Sequence, residues 1–235
     1  MGLRAGRRLR LGDILSPMMP WEQIDSVFLD MDGTLLDLNF DNHFWQEFVP
    51  RRYSESRGLP LEEAKRLLEP RFKAMEGRIE WYCLDYWSAA LELDVAGLKT
   101  EIAGLIAVLP HVTDFLDAAR RRGKRLVLVT NAHPKALGIK LEKTCLHEFF
   151  DAIVSSHAFG VPKEDDAFWG KLQAVEPFAP ARTAMIDDSL PVLRSARRYG
   201  IRHLYAIRRP DSRQAPRVVD EFAAVDDLRG LLPRA

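Results

Sequence analysis

The chain has 235 residues, 47% of them hydrophobic, with Lys plus Arg and Asp plus Glu balanced at 34 each. That length sustains a buried core without disulfides or a structural metal, and zero net charge removes the electrostatic case for nucleic acid or an anionic membrane surface, leaving a small anion held by local donors as the charged partner to consider. No apolar run approaches the ~20 residues of a membrane helix, and the two cysteines, Cys83 and Cys145, stand in no ligand spacing and read as reduced thiols of a cytoplasmic protein.

Residues 1–20 carry Arg4, Arg7, Arg8 and Arg10 with no apolar stretch behind them, so they make no secretory signal. They read as a disordered extension, or as a start placed too early, with Met18 or Met19 the natural alternative. Five short runs then read as strands: 27–31, 126–130, 152–155, 183–187 and 203–207. Each is nearly continuous in apolar residues, the pattern of a parallel sheet covered on both faces. Helical patterns fall at 112–122, 135–144, 166–175 and 190–199, and Gly200 is placed to end the last. Strand and helix in alternation predict a doubly wound α/β sheet.

The first two strand runs are separated by about a hundred residues, against a few tens for an ordinary crossover. Within 38–109 the periodicity is helical, with Phe44, Phe48, Leu67, Leu68, Phe72, Leu84, Trp87, Leu91 and Ile102 as candidate core and turns at Gly58-Leu59-Pro60 and Glu76-Gly77. The expected organisation is an α/β core of 21–37 and 110–235 with a helical unit, 38–109, inserted after the first strand.

The chemistry concentrates at strand ends. Asp30-Met31-Asp32-Gly33-Thr34 places two carboxylates at the end of the first strand, where ligands bind in open parallel sheets. Alternate side chains near a strand end point the same way, and Gly33 permits a sharp exit. Asp187-Asp188-Ser189 ends the fourth strand. Carboxylates delivered by buried strands are costly unless paired, and four oxygen donors suit Mg²⁺. The competing role for Asp188 is a helix N-cap before Leu190. Thr130-Asn131, ahead of a helix, offers a hydroxyl and N–H groups to a phosphate oxygen, and Lys163 in a loop offers an ammonium for developing charge.

In order and spacing, these motifs resemble the haloacid dehalogenase superfamily of phosphohydrolases, from Val27 to about Ile207, with the insertion where that family carries its cap. The resemblance implies that Asp30 attacks phosphorus and Asp32 protonates the leaving oxygen and then activates water. It implies that Mg²⁺ is held by the Asp30 carboxylate, the Asp32 carbonyl and Asp188, with Asp187 close by, and that Thr130, Asn131 and Lys163 hold the phosphoryl group. Asp32 argues against a dehalogenase, because dehalogenases of the superfamily lack an acid there.

Within the insertion, Trp81 to Trp87 supplies aromatic rings for stacking on a base and Asp85 as an acceptor for a purine edge; the alternative is that Trp81, Leu84, Tyr86 and Trp87 pack the helices. That run, with Phe40-Asp41-Asn42, Thr130 to Pro134 and Phe159 to Asp165, resembles the bacterial GMP/IMP nucleotidases, which implies a purine nucleoside monophosphate as substrate. His133 reads equally as a substrate contact or as the residue opening a helix before Pro134. The alternatives are a phosphatase for another small ester, such as a sugar phosphate or phosphoglycolate, and a non-catalytic binding protein on the same fold. His157 and His203 suggest only packing or surface roles.

Overall fold

A computed structural model describes residues 19–233. The predicted extension lies outside these residues except at its end, where Met19 is buried beside Trp21 in the core rather than free.

The strands are β1 (Ser26–Leu29), β2 (Arg125–Thr130), β3 (Ala152–Ser155), β4 (Thr183–Asp187), β5 (His203–Ile207) and β6 (Ala223–Val225). All pair in parallel in the order β3-β2-β1-β4-β5-β6. The sixth strand escapes a reading of periodicity because it has only three residues; its pairing with β5 creates it. Strand alternation assigns the two faces. Val27, Leu29, Leu126, Leu128 and Ile186 face one way, Phe28, Val127, Val129 and Met185 the other.

The helices of the insertion are α1 (Asn39–His43), α2 (Val49–Arg57), α3 (Leu61–Lys73), α4 (Ile79–Tyr82), α5 (Leu84–Leu91) and α6 (Val95–Glu101). Those of the core are α7 (Val112–Arg121), α8 (Pro134–Thr144), α9 (Asp166–Val175) and α10 (Leu190–Tyr199). Val112, Phe115, Leu116 and Ala119 of α7 cover the first face of the sheet. Phe168, Trp169 and Leu172 of α9, with Val192, Leu193 and Ala196 of α10, cover the second. Gly200 ends α10 in the left-handed region, as its position predicts.

The insertion has its own apolar cluster, built on Phe44, Leu68, Leu84, Trp87 and Leu91, with Phe48, Phe72 and Ile102 packed against it. Leu67, expected in that core, is 44% exposed. The buried positions of α3 are Ala64 and Leu68, four apart, which turns Leu67 outward. Between α1 and α2 the chain widens into a π-helical turn, Phe44–Phe48. Pro50 follows, with no N–H to return to the Gln46 carbonyl, which disfavours regular α-helical bonding there.

Candidate active site

Sheet register builds the site. Leu29 lies opposite Ile186 and Leu128, so the residues leaving β1, β2 and β4 emerge side by side. β1 stands where the chain order reverses, the position at which open α/β sheets bind ligands. Above these strand ends and beneath the insertion lies a cavity of about 910 Å³. Asp30, Asp32, Thr130, Asn131, His133, Lys163, Asp187, Asp188 and Trp81 all line it; Asp85 does not.

Lys163 is the hub of one half of the site. Its Nζ donates to Asp30 Oδ1 at 2.5 Å, Asp187 Oδ2 at 2.7 Å and the Val129 carbonyl at 3.0 Å. Its own backbone is pinned: its N–H donates to Asn131 Oδ1 at 2.9 Å, and its carbonyl accepts from Ser195 at 2.6 Å. The lysine read as a loop residue is therefore 2% exposed.

Carboxylate oxygens of Asp30, Asp187 and Asp188 converge to within 4.8 Å of one another. Burial is the main cause that pushes their pKa values up, to about 8, about 6 and about 7 respectively, and mutual repulsion adds to it while Lys163 opposes. Asp188 does not cap α10. Its Oδ2 takes a 3.2 Å hydrogen bond from Arg217, and Asp187 Oδ1 instead accepts the Ser189 N–H at 2.8 Å. Gly33 makes the close approach possible. Its φ is +87°, and a Cβ there would meet Asp188 Cγ at 2.7 Å. An oxygen-only set of crowded, buried carboxylates fits a hard divalent cation, which would relieve the repulsion that the lysine only partly offsets.

Asp32 faces elsewhere. Its Oδ1 accepts from Lys140 Nζ at 2.6 Å, and its carboxylate stands outside the three-carboxylate cluster. Asp30, Asp187 and Asp188 of the predicted metal set are thus grouped, and Asp32 could join them only through its main-chain carbonyl, as the resemblance implies. Lys140 also donates to Asp41 Oδ2 at 2.7 Å, and Lys99 pairs with Asp41 Oδ1. Burial raises the Asp32 pKa and Lys140 opposes it, the net shift being upward. For Asp41 burial also acts upward, but two lysines overcome it and hold the group well below the usual carboxylate range.

Asp41, Lys99 and Lys140 are site residues that the motifs do not reveal. The sequence carries a weaker signal for them: Val95, Leu98 and Lys99, and Ala136 with Lys140, fall at the i, i+3, i+4 spacing of a buried stripe. A lysine inside such a stripe needs a buried partner.

The other predicted residues separate. Thr130 Oγ1 accepts from the Ala132 N–H at 3.0 Å, and Asn131 Nδ2 donates to Glu164 at 2.9 Å. His133 caps α8 by accepting the Lys135 N–H, the helix-opening role, and it also lines the cavity. In the aromatic run, Leu84 and Trp87 are core while Trp81 lines the cavity. Asp85 is turned out into an ion pair with Lys135 at 2.5 Å, which removes it as a base acceptor in this arrangement. Acceptors lining the cavity include Asn42, Gln46, Glu69 and Glu76, beside Trp45 and Phe72.

The haloacid dehalogenase-like hydrolase family model matches residues 24–200. The chain is 39% identical over 213 residues to the GMP/IMP nucleotidase YrfG of Escherichia coli (strain K12), covering 91% of this chain and 96% of that protein. It is 27% identical over 134 residues to a phosphoglycolate phosphatase of Pseudomonas putida, covering 55% of this chain and 47% of that one. The crystal structure of an HAD phosphatase from Thermococcus onnurineus superimposes with a TM-score of 0.73 at 21% identity, over 88% of this chain and 95% of that one, a likeness of fold. By family model and by near full-length identity, the chain belongs to the haloacid dehalogenase-like hydrolases.

Proposed function

We propose that the chain is a Mg²⁺-dependent phosphomonoesterase acting through an aspartyl phosphate, and that its substrates are purine nucleoside monophosphates such as GMP and IMP. The observation that carries the reading is the division of the two leading aspartates. Asp30 and Asp32 line one cavity, yet each has its own lysine, Lys163 for one and Lys140 for the other. Asp30 lies in the carboxylate cluster, where a cation added to Lys163 would hold it as the attacking anion, while Asp32, outside that cluster and with its pKa raised by burial, can carry a proton.

In the first step an Asp30 oxygen attacks phosphorus and the ester P–O bond breaks. Asp32 gives its proton to the departing nucleoside oxygen. In the second step ionised Asp32 takes a proton from water, the water oxygen attacks phosphorus, and the acyl-phosphate bond to Asp30 breaks, releasing inorganic phosphate. Thr130 and the Asn131 N–H hold the phosphoryl oxygens, and Lys163 offsets their charge. Mg²⁺ held by Asp30, Asp188, the Asp32 carbonyl and, close by, Asp187 supplies charge neutralisation at the phosphoryl group.

We read the helical insertion, 38–109, as the cap that selects the substrate. Three observations support a purine: near full-length likeness to a GMP/IMP nucleotidase, a cavity of nucleotide size, and aromatic walls at Trp45, Phe72 and Trp81 above polar acceptors. No helix among the described residues is long and apolar enough to cross a membrane. The cytoplasmic setting rests on the cysteines, since Cys83 and Cys145 are both free thiols.

Phosphate release from GMP, IMP, AMP, UMP, phosphoglycolate and sugar phosphates, with Mg²⁺ and with chelator, tests the reading. Preference for GMP and IMP, abolished by chelator, is expected. Release from sugar phosphates alone would overturn the substrate, and chelator-resistant release would overturn the metal.

A further inference from the structure

A second cluster lies apart from the carboxylates. Cys83 Sγ and one ring nitrogen each of His133 and His157 fall within 4.8 Å of one another. The three residues come from separate parts of the chain. Cys83 belongs to the insertion, His133 to the loop after β2, and His157 to the short turn after β3. The two rings stand edge to face with centroids 4.9 Å apart.

Each member is prepared as a ligand. Cys83 is the N-cap of α5, and its sulfur accepts the Tyr86 N–H at 3.4 Å. His157 Nε2 is closed off from solvent and has no hydrogen-bond partner. A ring nitrogen buried without a partner is available to an ion once it carries no proton. His133 Nδ1 accepts a long, 3.3 Å bond from the Lys135 N–H. Ligation through Nε2 would move the ring proton to Nδ1 and release that bond. Asp85 Oδ2 stands 3.6 Å from His133 Nε2 but lies outside the cluster, so the fourth position is left to water.

We propose that Cys83, His133 and His157 form a site for one divalent transition metal of the Zn²⁺ class, fastening the helical insertion to the sheet domain. One thiolate with two imidazoles selects a borderline-soft ion over Mg²⁺, which takes oxygen ligands. Tetrahedral bonds of about 2.3 Å to sulfur and about 2.0 Å to nitrogen set the ligand atoms roughly 3.3–3.5 Å apart, inside the 4.8 Å within which they already lie. Cys83 releases its thiol proton to solvent on ligation, and no electron changes hands. The metal joins two bodies that shape the cavity, so its occupancy sets how freely the insertion opens.

Co²⁺ titration of the full-length, metal-stripped protein tests this, with excess Mg²⁺ present to occupy the carboxylates. One equivalent is expected to bind, with a thiolate-to-cobalt charge-transfer band and the strong visible bands of a tetrahedral site, both displaced by Zn²⁺. Cys83→Ser should lose the charge-transfer band. His157→Ala should weaken binding at least about tenfold, and it carries the test by itself if Cys83→Ser fails to fold. Cys145→Ser, at the exposed second cysteine, should leave the spectrum unchanged. Weak octahedral bands without charge transfer in the wild type would overturn the proposal, as would a band that follows Cys145 or wild-type affinity in His157→Ala. All of these readouts are independent of phosphate release, so the metal site and the proposed hydrolysis fail separately.

Discussion

Replacing Lys140 by methionine keeps the length of the side chain and removes its charge. Lys140 is 2% exposed and joins Asp32 to Asp41. Asp41 would retain Lys99, but Asp32, with a side chain 23% exposed, would lose the one ion-pair partner it has among the described residues. Breaking a buried pair from one side costs about 3–5 kcal/mol. The partial exposure of Asp32 and the surviving Lys99–Asp41 pair place this case near the lower end, about 3 kcal/mol. For a domain of this size that is a fall in Tm of about 6–12 °C. Burial already raises the Asp32 pKa against the pull of Lys140. Without the lysine it rises further, so ionised Asp32, needed for the water-attack step, is reached only at higher pH.

The assay pairs thermal unfolding with the pH dependence of phosphate release. Lys140→Met should lower Tm and move the acidic limb of the profile to higher pH. Lys99→Met is the comparison, since Lys99 pairs with Asp41 and not with Asp32. It should destabilise while moving the limb less. In an Asp32→Asn background the stability cost of Lys140→Met should shrink, because the stranded charge is gone. An unchanged Tm together with an unchanged acidic limb in Lys140→Met would refute the role assigned to the lysine.

Five further outcomes are expected. With pKa values raised by burial to about 8, 7 and 6, Asp30, Asp188 and Asp187 hold protons that the unfolded chain has already lost, so metal-free stability should fall as pH rises from about 4 to 8. Mg²⁺ at a hundredfold over its Kd adds about 2.7 kcal/mol at pH 8 and less at pH 5, where it competes with protons; equal Tm shifts at both would contradict this. Asp30→Asn should abolish phosphate release with the fold intact by circular dichroism, whereas full activity in protein shown free of deamidation would exclude the covalent step. Gly33→Ala should cost about 1–2 kcal/mol in the left-handed region and, by pushing on Asp188, weaken Mg²⁺ binding measured calorimetrically; wild-type affinity would show that the close approach is immaterial. Trp81→Ala should impair GMP turnover more than turnover of a small artificial ester, and equal loss on both would assign Trp81 to packing.

Local patterning along the chain is enough to specify five of the six strands and where they end. Runs such as Leu126 to Thr130 and Thr183 to Asp187 are apolar on both faces until a polar residue ends them, and burial cost makes that pattern local and readable. Hence Asp30, Thr130 and Asp187 are legible, in order, from the chain alone, while Lys163, in a loop, is singled out only by the family resemblance. What those residues touch is settled by folding. The pairing of Asp32 with Lys140 spans 108 positions, and that of Asp41 with Lys99 spans 58. The aromatic run holds no means of sending Trp81 to the cavity, Trp87 to the core and Asp85 to Lys135, because helix rotation and a partner on α8 make that choice. The grouping of Cys83, His133 and His157 is equally hidden, as three residues in no common spacing. Hydrophobic periodicity is a property of neighbours along the chain, whereas a charge pair or a ligand set belongs to elements that meet only after the insertion has folded over the sheet.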